Sequence, residues 1–317
     1  MQISLASVAS VYSLKDVELA ATKLDEQSKG ALGKLYSLMA ERGGERFVVK
    51  PSRVPDASAL YDDLPNFKPV IDAVLRQIAL CVDTKDDLEI VPILLAGPPG
   101  VGKTRFAKKL SEMLCTGYNF LPMNSMTAGW VLSGSAATWA GSKPGKVFDS
   151  LVRGQYANPV VVLDEIDKAS GSSQYDPVGA LYTLLERETS KEFVDEFAEV
   201  PIDAGRIIWV ATANDCRSIP DPILSRMMVF DVPAPTHEEA MRICQSMYRS
   251  AVASHAWGDE FPGELEDDVL DAMAHVSPRE LNQVLVGAFG RAKMDSRRHL
   301  VVADFPAPTD KKRRIGF

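Results

Sequence analysis

GPPGVGKT, residues 97 to 104, dictates more of the architecture of this chain than any other stretch. It follows the apolar run VPILLA and precedes TRFAKKLSEML, where apolar residues recur at helical spacing. Gly97, Gly100 and Gly102 let the backbone fold so that several N–H groups converge at the positive end of the helix that follows. Pro98, Pro99 and Val101 complete the loop, whose concave face suits a chain of phosphates. Lys103 is placed to neutralise the β and γ phosphates, and the Thr104 hydroxyl to ligate Mg2+.

A strand feeding such a loop and helix implies an α/β fold, and the rest of the chain agrees. Apolar strands are expected at 91–96, 118–123, 159–164, 206–213 and 228–232, with helical stretches between them, which is the pattern of a largely parallel sheet. After Pro233 the alternation stops. Thr236 and Glu239 form a capping box, and Ser277-Pro278-Arg279-Glu280 is a second helix start, so a small all-helical lid is expected. The only later strand-like run is Leu300-Val301-Val302. Upstream, Ser13 and Asp16 are positioned to cap a helix whose apolar stripe is Val17, Ala21, Leu24, Ala31, Leu35 and Leu38, with Ser28 filling a gap. Gly30 and Gly33 weaken it and can split it into a hairpin. A short apolar run at 47–49 and an amphipathic helix from Pro69 to Cys81 precede the first core strand. The expected divisions are a helical N-terminal region (1–56), the large α/β domain (57–235), the lid (236–305) and a basic tail (306–317) ending in KKRRIGF.

Composition narrows the function. A net charge of -8 argues against a surface built throughout for nucleic acid. Cys81, Cys115, Cys216 and Cys244 lack CxxC spacing and lie in apolar runs, so they read as core residues of a reducing compartment. The N-terminus lacks a basic n-region, and no run approaches a membrane span. A cytoplasmic protein without a structural metal site is expected.

Two further strand ends carry chemistry. VVVLDEID ends in adjacent carboxylates: Asp164 suits the Mg2+ shell, and Glu165 suits the general base that polarises the water attacking the γ phosphate. RIIWVATAND ends in Asn214, whose amide can both donate to and accept from that water.

GPPGVGKT, LDEIDK, ATAND, IPDPILSRM and SPREL occur in the order of the AAA+ ATPases, and TWAGSKPGK resembles the ATPase module of the Lon family. The resemblance runs from Leu64 to Ala292 and implies a P-loop NTPase sheet domain with a helical lid, using ATP and Mg2+. It implies that Arg226 is an arginine finger reaching a neighbouring protomer's γ phosphate, which calls for a closed ring, a homohexamer in this family. Arg279 would be the second sensor, residues Leu64 to Phe67 and the lid would supply the adenine contacts, and Trp139 with Ala140 would form a pore loop that grips substrate. Two departures stand out. The chain stops at Phe317, where Lon proteins continue into a protease, and tryptophan replaces the more common pore tyrosine.

The leading expectation is thus an ATP-driven motor, chaperone-like, that pulls on a protein substrate or adaptor. The alternative is a motor acting on DNA or a nucleoprotein complex, for which only KKRR and the cluster Arg291, Lys293, Arg297 and Arg298 speak. A third possibility is a nucleotide-dependent switch with slow turnover.

Overall fold

The architecture is taken from a computed structural model that describes residues 4–24, 30–126, 128–139, 141–169 and 176–306. Ser28, Ala140 and the basic tail lie outside the described residues. The chain divides into two compact units, one of residues 1–55, 72–97 and 103–231, the other of 56–71, 98–102 and 232–317.

The first unit opens with an antiparallel ribbon, β1 (Ser4–Ser10) against β2 (Glu45–Pro51), enclosing helices α1 (Leu14–Thr22) and α2 (Ala31–Arg42). The N-terminal region is therefore not purely helical, because the run expected only at 47–49 pairs over seven residues with β1. The helical stripe is also corrected. Ser13 occupies the N-cap position of α1 without a side-chain cap bond, and Ala31 is exposed while Leu32, Leu35, Tyr36 and Met39 are buried. Splitting the helix resets its rotational phase, so the second half buries a stripe that a continuous count misassigns.

The core sheet contains β3 (Ile93–Ala96), β4 (Tyr118–Pro122), β5 (Val160–Asp164), β8 (Ile208–Ala213) and β9 (Met228–Asp231), with a small hairpin of β6 (Phe193–Val194) and β7 (Pro201–Ile202) beside it in sequence. All five core strands are parallel, in the order β4-β5-β8-β3-β9. The three central strands read as continuous apolar runs because both of their faces are covered, whereas the edge strands β4 and β9 are partly exposed. Helix α5 (Lys103–Leu114) follows β3 and buries Phe106, Ala107, Leu110, Ser111 and Leu114, one face at helical spacing.

The N-terminal ribbon is welded to this unit by polar groups. Asn158 accepts from Val49 N (3.1 Å) and donates to Val49 O (2.7 Å), imitating a neighbouring strand. Phe47 N donates to Gln155 O (3.0 Å), and Ala157 N donates to Phe47 O (2.8 Å). Arg46, only 5% exposed, donates to the carbonyls of Leu151, Val152, Gly43 and Glu45. Arg42 donates to those of Val152, Arg153 and Gly154. These carbonyls end the wide helical turn Asp149–Arg153 and would otherwise lack partners, a need the guanidinium fork suits.

The second unit includes α3 (Ser58–Asp63), the turn Pro65–Phe67 and the first residues of α4 (Lys68–Cys81), followed after Val232 by the lid helices His237–Ser254, Asp267–Ala274 and Pro278–Met294. Thr236 and Glu239 form the expected capping box. At the next start, Ser277 instead donates to the Glu280 carboxylate at 2.7 Å. Phe289 centres the lid core, with ring centroids 4.5 Å from Trp257, 4.9 Å from Phe261 and 5.5 Å from Tyr248. The run at 300–302 forms no strand; Val302–Asp304 is a short helical turn whose Asp304 carboxylate is buried. Two of the cysteines, Cys81 and Cys244, are buried, but Cys115 is exposed and Cys216 partly so, correcting the expectation that all four are core residues. Among the described residues no helix is long and apolar enough to cross a membrane.

Replacing Arg46 by Met keeps the apolar stem and removes the donors to Leu151 and Val152. We expect a loss of about 2 kcal/mol, as the Leu151 carbonyl loses its partner while that of Val152 keeps its bond from Arg42. Chemical denaturation checks it, and Arg46→Lys should recover only part of the loss because one ammonium cannot span four carbonyls.

Candidate nucleotide-binding site

The turn from β3 to α5 has the backbone its sequence requires. Gly97, Gly100 and Gly102 all have positive φ (159°, 86° and 108°), and a Cβ on Gly102 would lie 3.0 Å from Leu64 Cδ2 and 3.5 Å from Phe67 Cε2. Gly102 is thus required both by conformation and by close approach, Gly100 by conformation alone. The same approach brings the Leu64–Phe67 segment against the loop, where adenine contacts were expected. Asn66 directs its amide N–H groups to Pro233 O (3.0 Å) and Val101 O (3.5 Å), and its own buried oxygen has no partner among the described residues. Pro98 and Pro99 occupy the loop between Gly97 and Gly100.

The Lys103 ammonium donates to Gly97 O and to Asn214 Oδ1, the latter at 2.9 Å. Burial pushes its pKa down, and Asp167, Asp164 and Glu165 oppose that shift. Lys103 is only 8% exposed, so these partners compensate a cation largely removed from water. Asn214 is therefore in the place the sequence suggested, at the end of β8 between β3 and β5, and it touches the lysine of the loop.

Thr104 Oγ1 donates to Asp164 Oδ1 at 2.9 Å, and Thr212 Oγ1 donates to the same oxygen at 2.8 Å. Thr212 Oγ1 in turn accepts from Glu165 N at 2.9 Å. This hydroxyl on β8 fixes the ends of β5 and β8 to each other, and the motif reading overlooked it because it lies inside the apolar run of ATAND. The donor set suits Mg2+: Thr104 and Asp164 present hard oxygens side by side, and such an ion takes its remaining ligands from phosphates and water. Among the described residues no cluster of three or more His, Cys, Asp or Glu side chains could hold a metal by itself.

Glu165 adopts the left-handed backbone region (φ 55°, ψ 49°), which turns its side chain out of the strand direction. Its carboxylate accepts from Lys168 Nζ and, at 2.6 Å, from Asn124 Nδ2. The Lys168 bond is the main reason its pKa falls below the usual carboxylate range, with the Asn124 bond adding to it. A carboxylate held this way is anionic but a weakened base. Neither partner was anticipated: Asn124 lies outside the motif that contains Glu165, and Lys168, the last residue of LDEIDK, carried no role there. Asp167 Oδ2 accepts from Asn214 N (3.1 Å) and Asp215 N (3.2 Å), which orients the end of β8.

Arg226 is not gathered with these residues. Its guanidinium donates to Pro222 O at 2.7 Å and pairs with Glu186 at 3.5 Å, while its buried Nε has no partner among the described residues. Arg279 is exposed in the first turn of Pro278–Met294 in the second unit. Trp139 is 53% exposed.

Residues 93–233 match the family described as "ATPase family associated with various cellular activities (AAA)". The Lon protease of Clostridium beijerinckii is 33% identical over 202 residues, 64% of this chain and 25% of that protein. The Lon protease of Clostridioides difficile is 31% identical over 222 residues, 70% of this chain and 28% of that protein. An S. cerevisiae Hsp104:casein complex in an extended conformation shares the fold, with a TM-score of 0.58 at 13% identity over 89% of this chain and 57% of that one. The chain spans about a quarter of the length of these Lon relatives. Both carboxylates and Asn214 lie at the ends of one parallel sheet, and residues 93–233, which match the AAA family, belong to a region similar to the ATPase region of Lon proteins.

Proposed function

We propose that the chain hydrolyses ATP at the ends of β3, β5 and β8 and uses the energy to remodel a protein substrate. The observation that carries the hydrolytic reading is the linked cluster Lys103–Asn214 and Thr104–Asp164–Thr212–Glu165. The loop N–H groups and Lys103 bind the phosphates, and Asn214 holds the attacking water against the γ phosphate. Glu165 takes the proton from that water once it is released from Asn124 and Lys168. Thr104 and Asp164 would hold Mg2+, which when bound neutralises charge developing on the phosphoryl oxygens. Arg279 on the lid is assigned to sensing the γ phosphate.

Arg226 is assigned to the site of the next protomer in a homohexameric ring. In the single chain it rests on Glu186, an acceptor it would exchange for phosphate. The protein-remodelling part rests on Trp139, whose exposed ring belongs to the Lon-like loop TWAGSKPGK. The second half of that grip, Ala140, is proposed from sequence alone. Action on DNA is disfavoured because the basic cluster is largely neutralised: Arg297 pairs with Asp304 and Asp295, Arg291 with Asp304, and Lys293 with Glu260. A cytoplasmic site of action belongs to the same proposal, supported by four free cysteines, which a reducing compartment preserves.

Glu165→Gln should retain ATP while phosphate release falls by about a hundredfold or more, and undiminished turnover would remove Glu165 as the base. Mixing Arg226→Ala chains into wild type should depress hydrolysis more steeply than the fraction added; a strictly proportional decline would count against shared sites. Trp139→Ala should reduce the ratio of protein-stimulated to basal hydrolysis towards one, and an unchanged ratio would remove the ring from substrate handling.

A further inference from the structure

Asp195 is a fully buried carboxylate for which the proposed hydrolysis has no use. It lies in the hairpin of β6 and β7, and its Oδ1 accepts from Phe197 N and Ala198 N, both at 3.0 Å, closing the turn of that hairpin. Its Oδ2 accepts from Gly145 N at 2.7 Å, across 50 residues of chain. Gly145 ends the loop that carries Trp139, and Gly134 begins it. Gly134 has φ +83°, and a Cβ there would stand 2.4 Å from Asp195 Oδ1. A Cβ on Gly145 would stand 2.1 Å from Leu132 O and 2.4 Å from Gly134 N. The two ends of the loop are thus pinched together over one carboxylate.

Inside the pinch, Ser135 N donates to Lys143 O (3.2 Å) and Lys143 N to Ser135 Oγ (3.1 Å). At the tip, Trp139 N donates to Ala136 O (3.0 Å) and Ser142 N to Trp139 O (3.1 Å). A loop of small residues has little packing of its own to aim a ring, so its direction depends on where its ends are fastened. Glu196 N adds a main-chain bond to Ser133 O at 2.7 Å. The hairpin is fixed from its other side, where Tyr36 OH donates to Ala198 O (3.0 Å) and Asp203 N to Val11 O (2.8 Å). Beyond β7 the chain enters β8, which ends at Asn214 on the Lys103 ammonium.

We propose that Asp195 is a positioning residue that latches the Trp139 loop to the β6–β7 hairpin, so that the direction of the indole follows the hairpin leading into β8. The functional side of this rests on the reading of Trp139 as the gripping residue. Burial raises the Asp195 carboxyl to about 6, against the three N–H bonds that favour its anion, and the charge of Asp149 adds to the rise. Asp149 is itself paired with Lys146 and Arg153. Because the buried carboxyl takes up its proton more readily than an exposed one, acid favours the latched arrangement over one that releases Asp195 to water.

The test uses the whole chain and two variants that break the latch from opposite sides. Asp195→Asn replaces one acceptor oxygen by NH2, so the side chain cannot serve both Gly145 and the hairpin turn. Gly134→Ala forces the loop away without altering the carboxylate. Emission from Trp139 is read as the difference between each protein and its own Trp139→Phe counterpart, and ATP hydrolysis is read with and without casein as an unstructured polypeptide. Both variants should shift the Trp139 emission away from that of the wild type at neutral pH, keep basal hydrolysis within about twofold and lose most of the casein stimulation. Wild-type Trp139 emission in both variants would overturn the latch. If casein stimulates nothing even in wild type, the gripping reading fails, while the emission still decides whether Asp195 holds the loop.

Discussion

The site depends on keeping the Lys103 ammonium charged while it is mostly removed from water. Burial lowers its pKa and the carboxylates of Asp167, Asp164 and Glu165 oppose that shift, while Gly97 O and Asn214 Oδ1 accept its N–H groups. Those groups arrive from the ends of three strands. They converge only because β8 lies between β3 and β5 and all three run parallel, with Ala96 opposite Ala213 and Leu163 opposite Ala211. A slip of one residue would turn Asp164 and Asn214 to the opposite faces of the sheet. Register, strand order and the charge of one lysine are therefore a single constraint.

The same economy ties the outlying parts to the sheet. Arg46 and Arg42 satisfy the carbonyls that end the turn Asp149–Arg153, and Asn158 gives β2 the hydrogen bonds of a neighbouring strand. The β6–β7 hairpin meets α2 through Tyr36 and the Trp139 loop through Asp195. In each case a long-range polar bond replaces the apolar burial that a thin ribbon or small loop cannot supply.

Much of this was legible locally. The glycines of 97–102, the two strand ends and the Thr236 capping box each sit in a short window, and the structure has them where the windows implied. What misled was periodicity carried across a break: the stripe counted through Ser28 chose Ala31, whereas the restarted helix buries Leu32, Leu35, Tyr36 and Met39. Weak signals failed for a related reason. In β1, SLASVAS offers small residues and little contrast between faces, so only pairing with β2 makes it a strand. Leu300-Val301-Val302 has strand-forming residues but no neighbour to pair with, and buried Asp304 draws the chain into a turn.

The amino-acid sequence by itself determined the phosphate-binding loop, the parallel sheet around it and the identity of Lys103, Thr104, Asp164, Glu165 and Asn214, because those depend on glycine conformations and on spacing within one strand or helix. Only the tertiary structure decided that Thr212 joins β5 to β8, that Asn124 and Lys168 restrain Glu165, that Glu186 holds Arg226, and that a buried aspartate fastens the Trp139 loop. Apart from Glu165 and Lys168, which are three residues apart, each of those pairs joins groups from separate segments. Their partnership is set by packing geometry, which no local pattern of residues encodes.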